Sequence, residues 1–559
     1  MQPADPRAQA HAHAQRNPGD PLAWLMLCEA QLDAGDAPAA EQAARAAQRL
    51  VGDHPEVLAR LGRAAWMQRR HAEAVVQLRA AAAAAPEHAG IATWHAHALE
   101  DAGHAEAAAD EYARAHALAP DHPLIAAYLL AWRRRLCDWR GLDALSAQVR
   151  AAVRDGSASV EPFAFLSEDA TPAEQLRCAQ LRAAQFRHAP RAPARARAPG
   201  TPLRVGWLSN GFGAHPTGLL VVALAEALRA HGALELHLFA LNADDGSAIR
   251  TRLHQAAHAL HAVHGMAHGD IARRIRGAGI DVLFDLRGWG GGGTPDVLAM
   301  RPAAVQVNWL AYPGTSGAPW IDHVLADAVV LPRALAPHFS ERVVRLPRCF
   351  QPSDTKRVVP PPAPRAAYGL PDTGTVFCCF NNSYKLNPRS TARLFQALRG
   401  VHVSVLWLLS GPGDADRRLR AAAGAAGVDP ARLVFMPKQP HAEYLRRLQH
   451  ADLFLDTLPY NAHTTASDAL WAGCPVLTRP GDTFAARVAA SLNHHLGLAR
   501  MNAADDDAFV ATAIALGNHR AALDALRAEL AQRKAAASLF DMAGFAADFA
   551  AAAEAMAGA

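Results

Sequence analysis

DLFLDTLPYNAHTTASDALWAGCPVLT, residues 452–478, carries the pattern that decides the fold. The apolar run that closes at Asp456 reads as a short buried strand, and Tyr460-Asn461-Ala462-His463-Thr464-Thr465 as a polar turn. A helix follows through Asp468 to Ala472, and Pro475 to Thr478 forms the next strand. Strand, loop, helix and strand in so short a span is the unit of a parallel sheet wound with helices. Two threonines at a helix start offer hydroxyls beside amides that lack an intrahelical partner, a combination suited to an anion. Asp468, one turn on, is placed to accept hydrogen bonds from ribose hydroxyls, as an acidic residue does in dinucleotide folds. His463 lies within reach of a sugar, or else caps or packs.

Two earlier segments repeat the unit. Val376 to Phe380 reads as a strand, Asn381-Asn382-Ser383-Tyr384-Lys385 as a polar loop, and Asn387 with Pro388 as the start of a helix. A lysine in a loop at a strand's carboxyl end, beside a helix N-terminus, joins a point charge to free backbone donors. That is a diphosphate site in outline, with a plain surface lysine as the alternative. Further upstream, Leu203 to Ser209 is a strand, Asn210 to Ala214 a loop, and Pro216 opens a helix that runs to Gly232. Proline suits the first helical turn and glycine the exit. His215 then stands at the N-cap, where the helix dipole disfavours an imidazolium. A neutral ring there either accepts a proton from a substrate or merely caps the helix. The proline-rich hinge Val358 to Pro364 separates the two sheets.

The N-terminal part obeys another rhythm. Pro21, Pro55 and Pro123 share a 34-residue register with Ala89, as do Pro18, Pro86 and Pro120 with Gly52. Ala30, Ala64 and Ala98 keep the beat in one helix, Ala40, Ala74 and Ala108 in the next, and Gly35 and Gly103 mark the turn between them. This resembles the tetratricopeptide repeat, with about three units over residues 18–122. The alternative is an alanine-rich bundle with accidental spacing. Such stacked pairs commonly hold extended peptides, so a protein or peptide acceptor in the repeat groove is implied. Residues 124–186 read as further helices. The Pro- and Arg-rich stretch Arg187 to Pro202 is a linker, either solvated or in contact with an acidic partner.

Five segments result: a tail at 1–17, repeats at 18–122, a helical bridge and linker at 123–202, a first catalytic lobe at 203–357 and a second lobe with terminal helices at 358–559. A chain of 559 residues exceeds the roughly 250 to 300 residues at which one core stops growing. The formal charge of +4 arises from nearly balanced acids and bases and gives no reason to expect nucleic acid as a partner. Seven cysteines, odd in number and scattered, match neither a metal knuckle nor a redox pair, and a reducing cytoplasm fits them. Met1 to Gln15 lacks the apolar run of a signal peptide, and no stretch approaches the roughly 18 apolar residues of a membrane span.

GFGAHPTGLL (211–220), AYPGTSG (311–317), FNNSYKLNP (380–388) and NAHTTASDALWAGCPVLTRPGDTFAARVAAS (461–491) resemble the O-linked N-acetylglucosamine transferases, glycosyltransferase family 41, as a bacterial homologue. With the repeats, the resemblance covers most of the chain. It implies a tetratricopeptide superhelix followed by an α/β GT-B fold of two Rossmann-like lobes. It further implies a UDP-N-acetylglucosamine (UDP-GlcNAc) donor, serine or threonine acceptors on proteins, and inversion without a metal or other cofactor. By the same resemblance Lys385 stabilises the diphosphate, Thr464 and Thr465 bind phosphate, and Asp468 holds the ribose. Lys438 and His441 flank the uridine, Asn382 touches phosphate or nucleotide, His463 meets the donor sugar, and His215 is a candidate base. Asp414-Ala415-Asp416 reads as a solvated turn rather than a metal motif.

Several positions depart from animal members, which usually have Gln at Asn382, His at Asp281, Cys at Tyr460 and a second His at Leu219. These departures bear on acceptor handling more than on donor class. The Gly-rich run Gly288 to Gly293 is either a mobile loop over the acceptor or an ordinary flexible loop. Two other readings stay open: a catalytically idle repeat scaffold, and a transferase with a different sugar or acceptor, such as a protein N-glycosyltransferase.

Overall fold

The computed structural model describes residues 5–191, 193–195, 197–198 and 200–558. The chain divides into two units, Met1–Val149 with Gly411–Ala415, and Arg150–Ser410 with Asp416–Ala559.

The first unit is a stack of antiparallel helices. The pairs Pro21–Asp33 with Ala37–Val51, Pro55–Met67 with His71–Ala84, and Ala89–Asp101 with Ala105–Leu118 follow the expected register. Each first helix starts at the proline register or its alanine substitute. Between the helices of a pair the backbone enters the left-handed region at Gly35 (φ 78°), Arg69 (φ 59°) and Gly103 (φ 83°). Cys137 (φ 49°) comes 34 residues after Gly103, beyond the helix Pro123–Arg135. The repeat register therefore runs past 122. The boundary expected there reflects the non-glycine that fills the fourth turn and hides the beat.

The segment expected as a tail at 1–17 also differs. Pro6–Arg16 is a helix, with Asp5 capping it and Pro6 at its first position. Ala14 is buried against Pro21–Asp33 in the same cluster as Leu25 and Cys28. Residues 1–4 lie outside the described residues.

The second unit holds two parallel sheets. The strands of the first are β1 (Leu203–Ser209), β2 (Leu234–Ala240), β3 (Ala259–Ala262), β4 (Val282–Asp285), β5 (Val305–Asn308), β6 (His323–Asp327) and β7 (Arg342–Leu346), in the order β3-β2-β1-β4-β5-β6-β7. Those of the second are β8 (Thr375–Cys379), β9 (Ser404–Leu409), β10 (Leu433–Met436), β11 (Leu453–Leu455) and β12 (Val476–Leu477), in the order β10-β9-β8-β11-β12. Near-continuous apolar strands such as VFCC and LFL fit sheets covered on both faces. In each sheet the order reverses once, at β1/β4 and at β8/β11. Crevices beyond the carboxyl ends of strands at such a reversal are where open sheets bind ligands.

The helix Pro216–His231 leaves β1 with proline first and ends on Gly232 at φ 73°, the left-handed exit that glycine allows. The last helix, Met542–Ala557, corrects the expected boundary. Phe549 packs on Trp207 and Phe284 of the first sheet and on Trp309 just beyond β5, so the chain's end belongs to the first lobe. Its apolar stripe matches the uncovered aromatic face of β1, β4 and β5.

The Pro- and Arg-rich linker has no regular structure among its described residues, and positions 192, 196 and 199 lie outside them. It is held along the first lobe. Arg195 forms a bidentate pair with Asp281 at 3.0 and 2.9 Å, and Arg197 pairs with Glu554 of the last helix. Both charges are neutralised within the chain, which removes them from the solvated linker or partner contact considered above. Asp281 stands just ahead of β4, at the amino end of the strand and away from the crevice.

Candidate nucleotide-sugar site

The loops after β8 and β11 meet at the reversal point of the second sheet. Asn381, buried, donates through Nδ2 to Asp456 Oδ1 at 3.1 Å and to Thr457 Oγ1 at 2.8 Å. Its Oδ1 accepts from Thr465 Oγ1 at 2.9 Å. Asp456 in turn accepts from the amides of Thr457 and Ala462 and from Thr478 Oγ1, each at 2.7 Å. A buried carboxylate with its acceptor sites filled in this way fixes both loops.

Lys385 closes the 3-10 turn Ser383–Lys385 and is only 7% exposed. Its Nζ donates to the Asn461 carbonyl at 2.7 Å. Burial pulls its pKa down to about 7, against the opposing pull of Asp456. A poorly hydrated amine with one hydrogen-bond acceptor among the described residues is a cation site waiting for an anion.

The helix Thr464–Ala472 begins beside it. His463 is its N-cap residue and makes no side-chain cap, so the first amides stay open. The His463 ring sits 5.0 Å from Tyr460, and its Nε2 donates to the Ala485 carbonyl at 3.1 Å. That bond fixes the proton on Nε2 and leaves Nδ1 as a free acceptor. Burial, with the Lys385 charge in support, keeps the ring neutral.

Across the crevice His215 caps Pro216–His231 and its Nδ1 accepts from the Thr217 amide at 3.2 Å. The remaining proton is therefore on Nε2, and the ring presents a donor. Burial, helped by the nearby Arg287 charge, pulls its pKa down to about 4. Neutrality was expected from the helix dipole; burial is the larger cause. Tyr460 and Ala485 of the second lobe share one packed cluster with Leu208, Trp289 and Tyr312 of the first, so the two reversal points face a common floor.

The model of the family "Glycosyl transferase family 41" matches residues 177–362 and 357–549. The chain belongs to glycosyl transferase family 41. A probable UDP-N-acetylglucosamine–peptide N-acetylglucosaminyltransferase SEC of Arabidopsis thaliana is 32% identical over 73% of this chain and 44% of its own length. A UDP-N-acetylglucosamine–peptide N-acetylglucosaminyltransferase of Caenorhabditis elegans is 28% identical over 61% of this chain and 40% of its own. The chain thus spans less than half the length of these two curated relatives. A solved mutant of the Thermobaculum terrenum O-GlcNAc transferase superposes with a TM-score of 0.71 at 25% identity, covering 100% of this chain and 98% of that one.

Within this family 41 chain, Lys385, His463, Thr464 and Thr465 gather around the β8/β11 crevice. Asn382 is exposed beside it, while the buried neighbour Asn381 holds the loops together. Lys438 is exposed in the loop after β10. Asp468 is not a waiting carboxylate. It is buried, forms an ion pair with Arg357, and accepts from His441 Nε2 at 3.2 Å. Arg357 follows Ser353 in the crossing between lobes, packs on Trp471 at 5.1 Å, and so draws the crossing onto this helix. Any ribose contact at Asp468 has to share an engaged carboxylate. Sequence reading missed Asn381, Asp456 and Arg357, whose roles depend on contacts across 75 or more positions. The Asn-Asn doublet after β8 was the one local signal for Asn381. The run Gly288 to Gly293 is tied at one point, where Arg287 Nε and Asn210 Nδ2 both donate to the Gly291 carbonyl, at 2.6 and 3.2 Å.

Among the described residues no helix is long and apolar enough to cross a membrane.

Proposed function

We propose that this chain transfers N-acetylglucosamine from UDP-GlcNAc to serine or threonine hydroxyls of proteins, with inversion and without a metal. The observation that carries the reading is the buried Lys385 amine beside the uncapped start of Thr464–Ala472, at the reversal point of one sheet and opposite His215 of the other. The activity named for the Arabidopsis and Caenorhabditis relatives supports the donor and the peptide acceptor.

Bond breaking at the anomeric carbon leaves negative charge on a diphosphate. Lys385 in its protonated form and the open amides of Thr464 and Thr465 stabilise that charge as it develops. Thr465 Oγ1 gives its proton to Asn381 Oδ1, so Thr465 meets the anion through its backbone amide. His463 Nδ1 accepts from a sugar hydroxyl. Lys438 and His441 hold the uridine end, Asn382 the phosphate or nucleotide edge, and Asp468 the ribose through its remaining lone pairs. His215 offers Nε2–H and therefore positions the acceptor or the leaving sugar rather than taking the acceptor's proton, a revision of the base role. Substrate protein is held by the helix repeats, whose first helices expose Leu22 and Met26 and half-bury Trp66 and Trp94. Seven buried free thiols fit a reducing cytoplasm.

Incubation with sugar-labelled UDP-sugars and a proteome, with and without EDTA, followed by mass spectrometry of modified residues, tests each part. N-acetylhexosamine on Ser or Thr in both arms is expected. Loss of activity with EDTA overturns metal independence, another sugar overturns the donor, modified Asn overturns the acceptor, and an absence of any donor turnover returns the chain to the idle scaffold.

A further inference from the structure

One charged side chain in the crevice has no role in the chemistry above. Arg287 lies two residues beyond β4, and β4 is adjacent to β1 with Asp285 opposite Leu208. The loop that carries Arg287 and the loop that carries His215 therefore emerge side by side at the reversal point of the first sheet. The Arg287 side chain is half-buried and its Nε is fixed on the Gly291 carbonyl at 2.6 Å, which leaves the outer edge of the guanidinium unbonded and without an ion pair among the described residues. The acid nearest in sequence makes no side-chain pair with it among the described residues: the Asp285 carboxylate accepts the Arg287 backbone amide at 2.9 Å and acts on the guanidinium only through space.

The backbone around this guanidinium is built for it. A Cβ on Gly288, at φ 54°, would lie 2.5 Å from Cβ of Tyr312, and one on Gly293 would lie 2.3 Å from the Gly288 carbonyl oxygen. The glycine run thus folds back on itself as no run of larger residues can, and turns its Gly291 carbonyl onto Arg287 and Asn210. A half-buried guanidinium that hydrogen-bonds one carbonyl and meets Asp285 only through space keeps unused donors, and a ligand of opposite charge satisfies them. The charge reaches His215 on the first lobe and Tyr384 and Tyr460 on the second, whereas Lys385 interacts with Asp456 and Cys379. Arg287 therefore shares the reversal point of His215 on the first lobe, and its charge also reaches Tyr460, the ring that Lys385 faces.

We propose that Arg287 determines acceptor specificity by pairing with a carboxylate next to the receiving hydroxyl, so that the acceptor is an acidic peptide segment. This rests on the protein-acceptor reading above. The test is a set of synthetic peptides with one central Ser or Thr and Asp, Glu, Asn or Gln at each flanking position, incubated with UDP-GlcNAc and read by mass spectrometry. The wild-type chain is expected to favour acidic over amide-flanked peptides by about tenfold or more, as a charge-assisted pair allows. Arg287→Ala is expected to bring that ratio to about one, and Arg287→Lys to an intermediate value because charge remains without the fork. Because the ratio is internal to each variant, a loss of folded protein does not mimic it. Equal ratios in wild type and Arg287→Ala overturn the role of Arg287 while leaving the transferase reading intact. A retained ratio with weakened binding of UDP alone, measured by calorimetry, overturns it in favour of a diphosphate contact. Donor turnover with no peptide modified overturns both the protein-acceptor reading and the inference built on it.

Discussion

The Lys385 amine lies 3.8 Å from the centroid of the Tyr460 ring and donates to the Asn461 carbonyl, so one side chain of the β8 loop clasps two consecutive residues of the β11 loop. The ring face stabilises a cation that burial otherwise disfavours. The amine is thereby held ready beside the helix that starts at Thr464, and its charge state becomes the variable that a diphosphate donor changes.

That variable sets a pH dependence. A lysine pulled down to about 7 is largely neutral above that pH in the free protein. A diphosphate favours the protonated form and raises the pKa, so binding takes up a proton. Affinity for UDP is expected to fall above pH 7, with a limit of about tenfold per pH unit. Calorimetry in buffers of different ionisation enthalpy reads the proton directly. Lys385→Arg, permanently charged, is expected to flatten the profile.

His215 separates a cap from a chemical role. Asn is as good an N-cap as the ring, so His215→Asn keeps the helix start, whereas His215→Ala loses about 1 kcal/mol of stability. Transfer is expected to fall about tenfold in both, the range of a positioned hydrogen bond rather than a lost base. Full activity in His215→Asn reduces the residue to a cap. With a pKa near 4, the ring is also expected to contribute no limb to the rate profile between pH 5 and 8.

The Arg357–Asp468 pair is buried and joins the lobe crossing to the nucleotide helix. Arg357→Met strands a carboxylate and is expected to cost about 3–5 kcal/mol in denaturant unfolding. The double variant Arg357→Met/Asp468→Asn is expected to recover most of that loss, because no unpaired charge remains.

In the repeats, Arg69 occupies a turn at φ 59° where the equivalent positions are Gly35 and Gly103, and its side chain is exposed. Arg69→Gly is expected to stabilise the unit by about 0.5–1 kcal/mol, relief of left-handed strain outweighing the entropy that glycine adds to the unfolded chain. Thermal unfolding of the full chain reads it.

What the sequence made legible was periodic or local. The 34-residue beat and the strand-loop-helix units at Leu203, Val376 and Leu453 are short-range patterns, and they appear as helices and strands at nearly the expected bounds. Where the beat was carried by Arg69 and Cys137 in place of glycine, the register disappeared from view and the array looked shorter. Lys385, Thr464 and Thr465 were readable because helix starts and strand ends announce themselves. Asn381, Asp456, Arg357 and Arg287 were not, since each acquires its meaning from a partner or crevice assembled by topology. The last helix was misassigned for the same reason: nothing within Met542–Ala557 names the sheet that Phe549 covers.

The most direct measurement is transfer from sugar-labelled UDP-GlcNAc to protein by the wild-type chain and by Lys385→Met, with thermal unfolding of both. The wild type is expected to place label on Ser or Thr, and Lys385→Met to place none while its unfolding temperature does not fall. Undiminished labelling by a folded Lys385→Met, or no donor turnover by the wild type, would contradict the account.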